Sequence, residues 1–257
     1  MIFVTNDDGI DAPGLKILAE TLETLDEVYV VAPDRERSAV GMAITLHQPL
    51  RAKQVRPRAY AVDGTPVDCV DLALGTLLPE PPKLLVSGIN QGHNLGADIH
   101  FSGTVGAAKK GTLAGIPSIA VSLALEGVGE QQSDFHYKTA GAIACRIAKQ
   151  VIEKGMPSHI LLNVNVPNCP LSDVKGIKIT RQDRGNYSIN AVTRLDRGGR
   201  PYYWIGGERT QIDFARDTDL HAIHNRRVSI TPVQLDFTDH ALITPLKAWL
   251  DDENMQL

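Results

Sequence analysis

The sequence is poor in cysteine: three occur in 257 residues. Cys69, Cys145 and Cys169 are odd in number, widely scattered and without a C-x-x-C pair. A disulfide framework needs paired cysteines and a thiolate zinc site needs closely spaced ones, so both are excluded. A chain of this length buries enough apolar surface to fold without cross-links. The cysteine usage therefore favours a reducing compartment.

Long apolar runs and a basic leader are also missing. No apolar run approaches the roughly 20 residues that a membrane-spanning helix needs. The chain begins MIFVTNDDG, without the basic segment that opens a secretory signal. We therefore expect a cytoplasmic protein without a membrane partner.

An excess of positive charge is absent as well, because the formal net charge is −4. A protein that coats long nucleic acid needs a basic surface, so we expect no long nucleic acid as a partner. The chain has no repeats and no low-complexity linker. We predict one domain over 1–257, with a core at about 1–182 and 228–250 and an excursion at about 183–227.

Short apolar runs alternate with amphipathic segments along most of the chain. Apolar runs predict strands at 2–5, 28–31, 84–86, 118–121, 159–166 and 228–231. Helical spacing predicts helices at 13–25, 104–114, 136–154 and 242–250. Strands that are apolar at consecutive positions and separated by helices predict an α/β fold, a doubly wound, mostly parallel sheet covered on both faces.

The excursion has a different composition. Residues 194–227 hold seven arginines and the run Tyr202-Tyr203-Trp204, without helical periodicity. We predict a protruding hairpin that contains Tyr202–Ile205 as a strand. Two roles remain open: packing against another subunit, or contact with a base or a longer phosphate substrate. The first is favoured, because aromatic and arginine side chains are enriched in interface cores.

Polar residues follow the first predicted strand, and ligands of parallel sheets bind at the carboxyl ends of strands. Asp7 and Asp8 stand there, before Gly9. In a regular strand their side chains would point to opposite faces, but a glycine permits a sharp turn that lets both face one crevice. The alternative is a solvated loop in which an aspartate caps the next helix. The dipeptide alone does not decide between the two.

The next two predicted strands end in polar segments too. Ser38 closes the cluster DRERS at 34–38, for which a helix cap with surface charges is the plainer interpretation. The segment SGINQGHNLG at 87–96 places Asn90 and Asn94 between three glycines. Such spacing is costly unless the backbone bends tightly or approaches a ligand. It matches neither G-x-G-x-x-G nor a P-loop, so dinucleotide binding has no support.

A fourth segment, FSGTVG at 101–106, opens a predicted helix with Ser102 and Thr104. A helix N-terminus offers free N–H groups to a phosphate, whereas simple N-capping is the alternative. Taken together, the segments place carboxylate, hydroxyl and amide oxygens beside a phosphate cradle. Such an all-oxygen set suits Mg²⁺ or Mn²⁺ better than zinc.

These segments resemble the SurE family of stationary-phase survival proteins, which are metal-dependent 5′/3′-nucleotidases. The similarity covers TNDDGIDAPGL at 5–15, VVAPDRERSAVGMAITLHQPLR at 30–51, VDGTPVDCV at 62–70, VSGINQGHNLGADIHFSGTVGAA at 86–108, GIPSIAVSL at 115–123, NVNVP at 163–167 and VSITPV at 228–233. The resemblance implies a Rossmann-like sheet with an extended hairpin and a C-terminal oligomerisation element. It also implies a homodimer or homotetramer.

The resemblance also implies a site. The metal ligands would be Asp7, Asp8, Ser38 and Asn90. The substrate phosphate would contact Asn94, Ser102, Gly103 and Thr104. One divalent cation per subunit, Mg²⁺ or Mn²⁺, would serve a reaction on nucleoside 5′- and 3′-monophosphates, with short polyphosphate as a further candidate substrate.

Two residues depart from the family pattern. Ala39 stands where the family commonly has Gly, and Phe101 stands where Tyr is frequent. The alanine restricts the turn that carries Ser38, but it leaves the ligand oxygen in place.

The expected chemistry is attack on a phosphate held by the helix N-terminus and bridged to a metal ion that lowers the pKa of bound water. Whether Asp7 or Asp8 acts instead as base or nucleophile stays open. His93 and His100 flank the loop but are interpreted as surface or capping residues. A signalling receiver module fails as an alternative because its phospho-accepting aspartate is missing. A catalytically silent nucleotide- or phosphate-binding protein remains the alternative.

Overall fold

The protein is described from a computed structural model over residues 1–125, 134–188, 190–206, 209–211 and 213–250. Its strands are β1 (Ile2–Thr5), β2 (Val28–Pro33), β3 (Ala52–Arg56), β4 (Ala59–Val62), β5 (Leu84–Gln91), β6 (Ser118–Ala124), β7 (Ile160–Pro167), β8 (Ile177–Ile179), β9 (Asn186–Tyr187), β10 (Asn190–Leu195), β11 (Pro201–Gly206), β12 (Arg209–Gln211) and β13 (Val228–Gln234). Its α-helices are α1 (Pro13–Leu22), α2 (Pro66–Leu72), α3 (Gly103–Leu113), α4 (Tyr137–Lys154), α5 (Asp219–His224) and α6 (His240–Leu250).

Nine of these strands form one sheet in the order β3-β4-β2-β1-β5-β6-β7-β13-β8. The strands from β4 to β7 are parallel to their neighbours, while β3 and β13 run antiparallel to β4 and β7. The prediction of a mostly parallel α/β sheet is confirmed. Because β2, β1 and β5 are adjacent and parallel, the polar segments that follow them emerge at the same edge.

Helices cover both faces of the sheet. Ile2 and Val4 on β1 belong to a buried cluster with α1 and α4, whereas Phe3 between them belongs to a cluster with α2 and α3. Successive strand side chains point to opposite faces, so the apolar run of β1 serves two cores. Polar ligands are thereby restricted to the edge of the sheet.

The sequence prediction differs from the structure in several elements. Strands β3 and β4 and helix α2 were not predicted, and α1 ends at Leu22 rather than Leu25. Strand β5 continues to Gln91, past the predicted end at Val86, because Asn90 pairs with Ser122 on β6 after an irregularity. Asn90 therefore lies within a strand and not in a loop.

The predicted hairpin is confirmed. Strands β10 and β11 pair antiparallel, with Thr193 opposite Tyr203, and both strands are exposed throughout. Short strands β9 and β12 also pair. In the described residues, no helix is both long enough and apolar enough to cross a membrane. The single domain over 1–257 stays a prediction.

Candidate active site

A cavity of about 520 Å³ opens at the carboxyl edge of the sheet, beside β1 and β5. Six of the eight predicted site residues line it: Asp7, Asp8, Ser38, Asn90, Asn94 and Ser102. Gly103 and Thr104 lie directly behind it on α3. The structure thus brings together segments that are separated by up to about 95 residues in the chain.

The turn after β1 is closed by Asn6. Its Nδ2 donates to Gly9 O at 2.9 Å, and Gly9 N donates to Asn6 Oδ1 at 3.2 Å. Gly9 has a φ of +101°, which a residue with a side chain rarely adopts. Helix α1 begins after Ala12, and no side chain caps it. The alternative in which Asp7 or Asp8 caps this helix is therefore wrong.

Asp7 is buried against the first turn of α3. Thr104 N donates to Asp7 Oδ2 at 3.0 Å, and the Thr104 hydroxyl donates to Asp7 Oδ1. A Cβ on Gly103 would lie 2.8 Å from Asp7 Cβ, so only glycine allows this approach. Both donors of Thr104 are thus engaged by Asp7, and neither Gly103 nor Thr104 lines the cavity.

Asp8 is more open than Asp7. Its Oδ2 accepts from Gln91 N at 3.1 Å. Partial burial and the neighbouring Asp7 charge raise the pKa of Asp8 to about 6. Burial also raises the pKa of Asp7, although the hydrogen bonds from Thr104 oppose that effect. Two desolvated carboxylates side by side are stabilised by a cation between them.

Ser38 and Asn90 add neutral oxygens to the cavity. The Ser38 hydroxyl donates to Glu36 Oε1 at 2.7 Å, and Asn90 Nδ2 donates to Gly92 O at 2.8 Å. Within the described part of the chain, the side-chain oxygen Oδ1 of Asn90 accepts no hydrogen bond, so it is available to a ligand. Ala39 has a φ of +57°, the left-handed conformation that favours the glycine of the family pattern.

The two other cavity residues offer hydrogen-bond donors. Ser102 is the N-cap of α3, where its Oγ accepts from Val105 N at 3.1 Å and keeps its own hydrogen for a ligand. Asn94 is buried, and its Nδ2 donates to Ser122 Oγ at 2.8 Å. An amide has two such hydrogens, so one remains for a ligand.

The charge of the cavity is one-sided. None of the described side chains that line it is Lys, Arg or His. Four of them are carboxylates: Asp7, Asp8, Glu36 and Asp98. In the described ranges, no three His, Cys, Asp or Glu side chains are grouped so as to hold a metal by themselves. A cation here would therefore need the neutral oxygens of Ser38 and Asn90, and this oxygen-only set suits Mg²⁺ or Mn²⁺.

Sequence reasoning did not assign several residues of the cavity wall to the site, among them Glu36, Asp98, Gln91 and Tyr137. Tyr137 Oη donates to the side-chain oxygen Oε1 of Gln91 at 3.1 Å. The backbone N–H of the same Gln91 donates to Asp8, so α4 is connected to Asp8 through Gln91. Burial and the Asp8 charge raise the pKa of Tyr137 to about 12, so its hydroxyl stays protonated. Nothing in the sequence marks Tyr137, because it is the first residue of an ordinary amphipathic helix.

The two flanking histidines lie outside the cavity. His93 Nε2 is 3.6 Å from Asp98 Oδ2. His100 lines a second cavity of about 430 Å³, together with Arg181 and Arg184. Neither histidine is among the residues that line the carboxylate cavity.

The family model described as "Survival protein SurE" matches residues 2–189. The chain belongs to the SurE family. It is 51% identical over 248 residues to the 5′-nucleotidase SurE of Geobacter metallireducens, and the match covers 96% of each chain. It is 50% identical over 249 residues to the 5′-nucleotidase SurE of Pelobacter propionicus, covering 97% of this chain and 99% of the relative.

A solved SurE structure has the same fold. The crystal structure of the SurE protein from Aquifex aeolicus matches with a TM-score of 0.84 and 39% identity. The match covers 98% of this chain and 99% of the other. The SurE resemblance predicted from the sequence is therefore confirmed, and so is the Rossmann-like architecture.

Proposed function

We propose that this chain hydrolyses nucleoside 5′- and 3′-monophosphates to nucleoside and phosphate, and that it needs one divalent cation. The nucleotidase activity is supported by the SurE relatives that carry this name. The need for a cation is supported by one observation: the cavity beside the N-terminus of α3 is lined by four carboxylates and, among the described residues, by no basic side chain. A phosphate dianion is repelled by such a cavity unless a cation compensates it.

Asp7, Asp8, Ser38 and Asn90 would hold Mg²⁺ or Mn²⁺. The ion would supply positive charge to the phosphate and Lewis-acid activation of water.

Phosphate binding is assigned to Ser102 and Asn94. Ser102 retains its hydroxyl hydrogen, and Asn94 retains one amide hydrogen. Thr104 gives both of its donors to Asp7. We therefore assign Gly103 and Thr104 to holding Asp7. This role replaces the direct phosphate contact that the family resemblance implies for these two residues.

Asp8 is the better placed of the two aspartates to accept a proton from the attacking water. Both oxygens of Asp7 accept from Thr104, whereas Asp8 has one oxygen that makes no hydrogen bond within the described residues.

The test is phosphate release from 5′-AMP and 3′-AMP, each with MgCl₂, with MnCl₂ and with EDTA. 4-Nitrophenyl phosphate serves as a monoester without a nucleoside. We expect release from both nucleotides with metal and loss of release with EDTA. Binding without release under every condition would favour the catalytically silent alternative, and undiminished release in EDTA would contradict the metal requirement.

A further inference from the structure

The backbone of Asn94 is held by two asparagines of β7. Asn165 Oδ1 accepts from Asn94 N at 2.8 Å, and Asn165 Nδ2 donates to Asn94 O at 3.0 Å. Asn163 Nδ2 donates to the same carbonyl at 2.8 Å. Both backbone polar groups of Asn94 are thus satisfied by side chains, as a neighbouring strand would satisfy them.

The side chain of Asn94 is held by the adjacent strand. Its Nδ2 donates to Ser122 Oγ at 2.8 Å, and Ser122 on β6 is the register partner of Asn165 on β7. Asn163 and Asn165 are two positions apart, so they project from the same face of β7. Three fully buried side chains of one sheet face therefore fix both the backbone and the amide plane of Asn94.

Sheet packing does not account for the two asparagines. Both are fully buried in a strand whose alternate positions, Val164 and Val166, are apolar. Asn163 Oδ1 has no hydrogen-bond partner within the described residues, which is unfavourable for a buried polar atom. Within the described residues, every hydrogen bond made by the side chains of Asn163 and Asn165 is made with the backbone of Asn94.

The loop itself has little rigidity of its own. Asn94 lies between Gly92 at φ +125° and Gly96 at φ +54°, and glycine restricts the backbone least. A donor that must meet a phosphate oxygen gains from being fixed before the ligand arrives, since less entropy is then lost on binding.

We infer that Asn163 and Asn165 are positioning residues that fix Asn94 for phosphate binding. This inference rests on the proposed function, because it assigns the phosphate contact to Asn94. It predicts that loss of either asparagine weakens phosphate binding without altering any group that touches the ligand.

The first test is calorimetric binding of inorganic phosphate in MgCl₂ to Asn165→Ala. We expect binding about tenfold weaker than in the wild type, equivalent to about 1.4 kcal/mol. Ser229→Ala is the matched control: Ser229 is buried, is the register partner of Asn165 on β13, and bonds to Thr180 instead of Asn94. Both variants are expected to melt earlier than the wild type, but Ser229→Ala should keep wild-type phosphate affinity.

A double variant separates positioning from general destabilisation. If Asn165 acts through Asn94, then Asn94→Ala with Asn165→Ala should bind phosphate no more weakly than Asn94→Ala alone. In Asn165→Ala, hydrogen exchange of the Asn94 amide should be faster even without metal. If Asn165→Ala does not fold, Asn163→Ala removes a single bond to the same carbonyl and should give a smaller shift in the same direction.

The outcomes distinguish the two proposals. If Asn94→Ala weakens phosphate binding while Asn165→Ala and Asn163→Ala keep wild-type affinity, the positioning role is wrong and the proposed function stands. Additive losses in the double variant would also overturn positioning. If the wild type neither binds phosphate nor releases it from nucleotides, the proposed function fails and the inference fails with it.

Discussion

At the residue scale, the cavity depends on two adjacent aspartates in unlike surroundings. Asp7 is buried and bonded through both oxygens to Thr104, whereas Asp8 faces the cavity with one oxygen bonded to Gln91 N. The sequence placed both at the end of a strand, which the structure shows, but it left their difference undetermined. That difference comes from α3, which is about 95 residues away in the chain.

Replacement of Asp8 by Asn should abolish hydrolysis. The substitution removes a negative ligand oxygen and the proposed base while keeping the size of the side chain. We expect turnover of 5′-AMP to fall by about 10²-fold or more, with an unchanged circular dichroism spectrum. Asp11→Asn, on the exposed side of the same turn, is the control and should keep activity. Near wild-type turnover in Asp8→Asn would refute the role of Asp8.

The same substitution should stabilise the metal-free protein at high pH. The pKa of Asp8 is raised from 3.8 to about 6 in the folded state. Its contribution to stability is therefore fully present below about pH 4 and is lost as the pH rises through 6, where the ionised form is disfavoured by burial. In EDTA, Asp8→Asn should exceed the wild type by about 1–2 kcal/mol at pH 8 and match it at pH 4.

Thermal melts in EDTA at both pH values measure this difference, with Asp11→Asn as the reference. A destabilised Asp8→Asn protein at pH 8 would show that Asp8 is well solvated in the folded state. The expected result would mean that Asp8 is retained at a cost to stability, as functional sites often show.

At the element scale, the first turn of α3 can approach Asp7 because Gly103 has no side chain. Gly103 leaves the space that Asp7 occupies, since a Cβ there would lie 2.8 Å from Asp7 Cβ and 3.1 Å from Pro66 Cγ. We expect Gly103→Ala to displace Asp7, to lose most of the activity and to lower the melting temperature. Gly75→Ala, with nothing within 4 Å of the new methyl group, should stay within about 1 kcal/mol of the wild type. Equal behaviour of the two variants in activity assays would contradict this account of α3.

The elements also show where prediction from sequence succeeds. Strands β1, β2 and β5 are apolar at consecutive positions, and adjacent parallel strands bring their carboxyl ends together whatever the loops do. That rule predicts Asp7, Asp8, Ser38 and Asn90 at one edge of the sheet, and all four line the cavity there. Strand β3 is not predictable from an apolar pattern, because it is an edge strand whose residues are all exposed to water.

Hydrogen bonds between segments that are distant in the chain could not be predicted from the sequence. Asn163 and Asn165 look like ordinary polar interruptions of a strand, and only the approach of the Asn94 loop gives them a purpose. The bonds from Thr104 to Asp7 likewise depend on how α3 packs against β1, and local spacing carries no information about that packing.

At the scale of the whole molecule, the hairpin exposes several large apolar side chains. On β11, Trp204 is 62% exposed and Ile205 is 91% exposed. Exposed aromatic and aliphatic side chains of this size are typical of subunit contacts. We propose that the hairpin contributes to a homodimer or homotetramer, as the sequence predicts.

Sedimentation velocity at micromolar concentration should show a dimer or tetramer. Replacing both Trp204 and Ile205 by Ser should shift the distribution toward smaller species, because the contact loses its apolar side chains. Leu113→Ser, at an exposed leucine on the end of α3, should leave the distribution unchanged. A wild-type protein that sediments only as a monomer would contradict the proposal.

The charge of the cavity determines whether phosphate binds: four carboxylates repel phosphate until a cation enters. Net charge alone was uninformative on this point, since −4 disfavours a long polyanion but not a small ligand held through a metal ion. The most direct measurement is a calorimetric titration of inorganic phosphate into the protein in MnCl₂ and, separately, in EDTA. We expect saturable binding with the metal and none in EDTA; equal affinity in both would contradict the need for a cation.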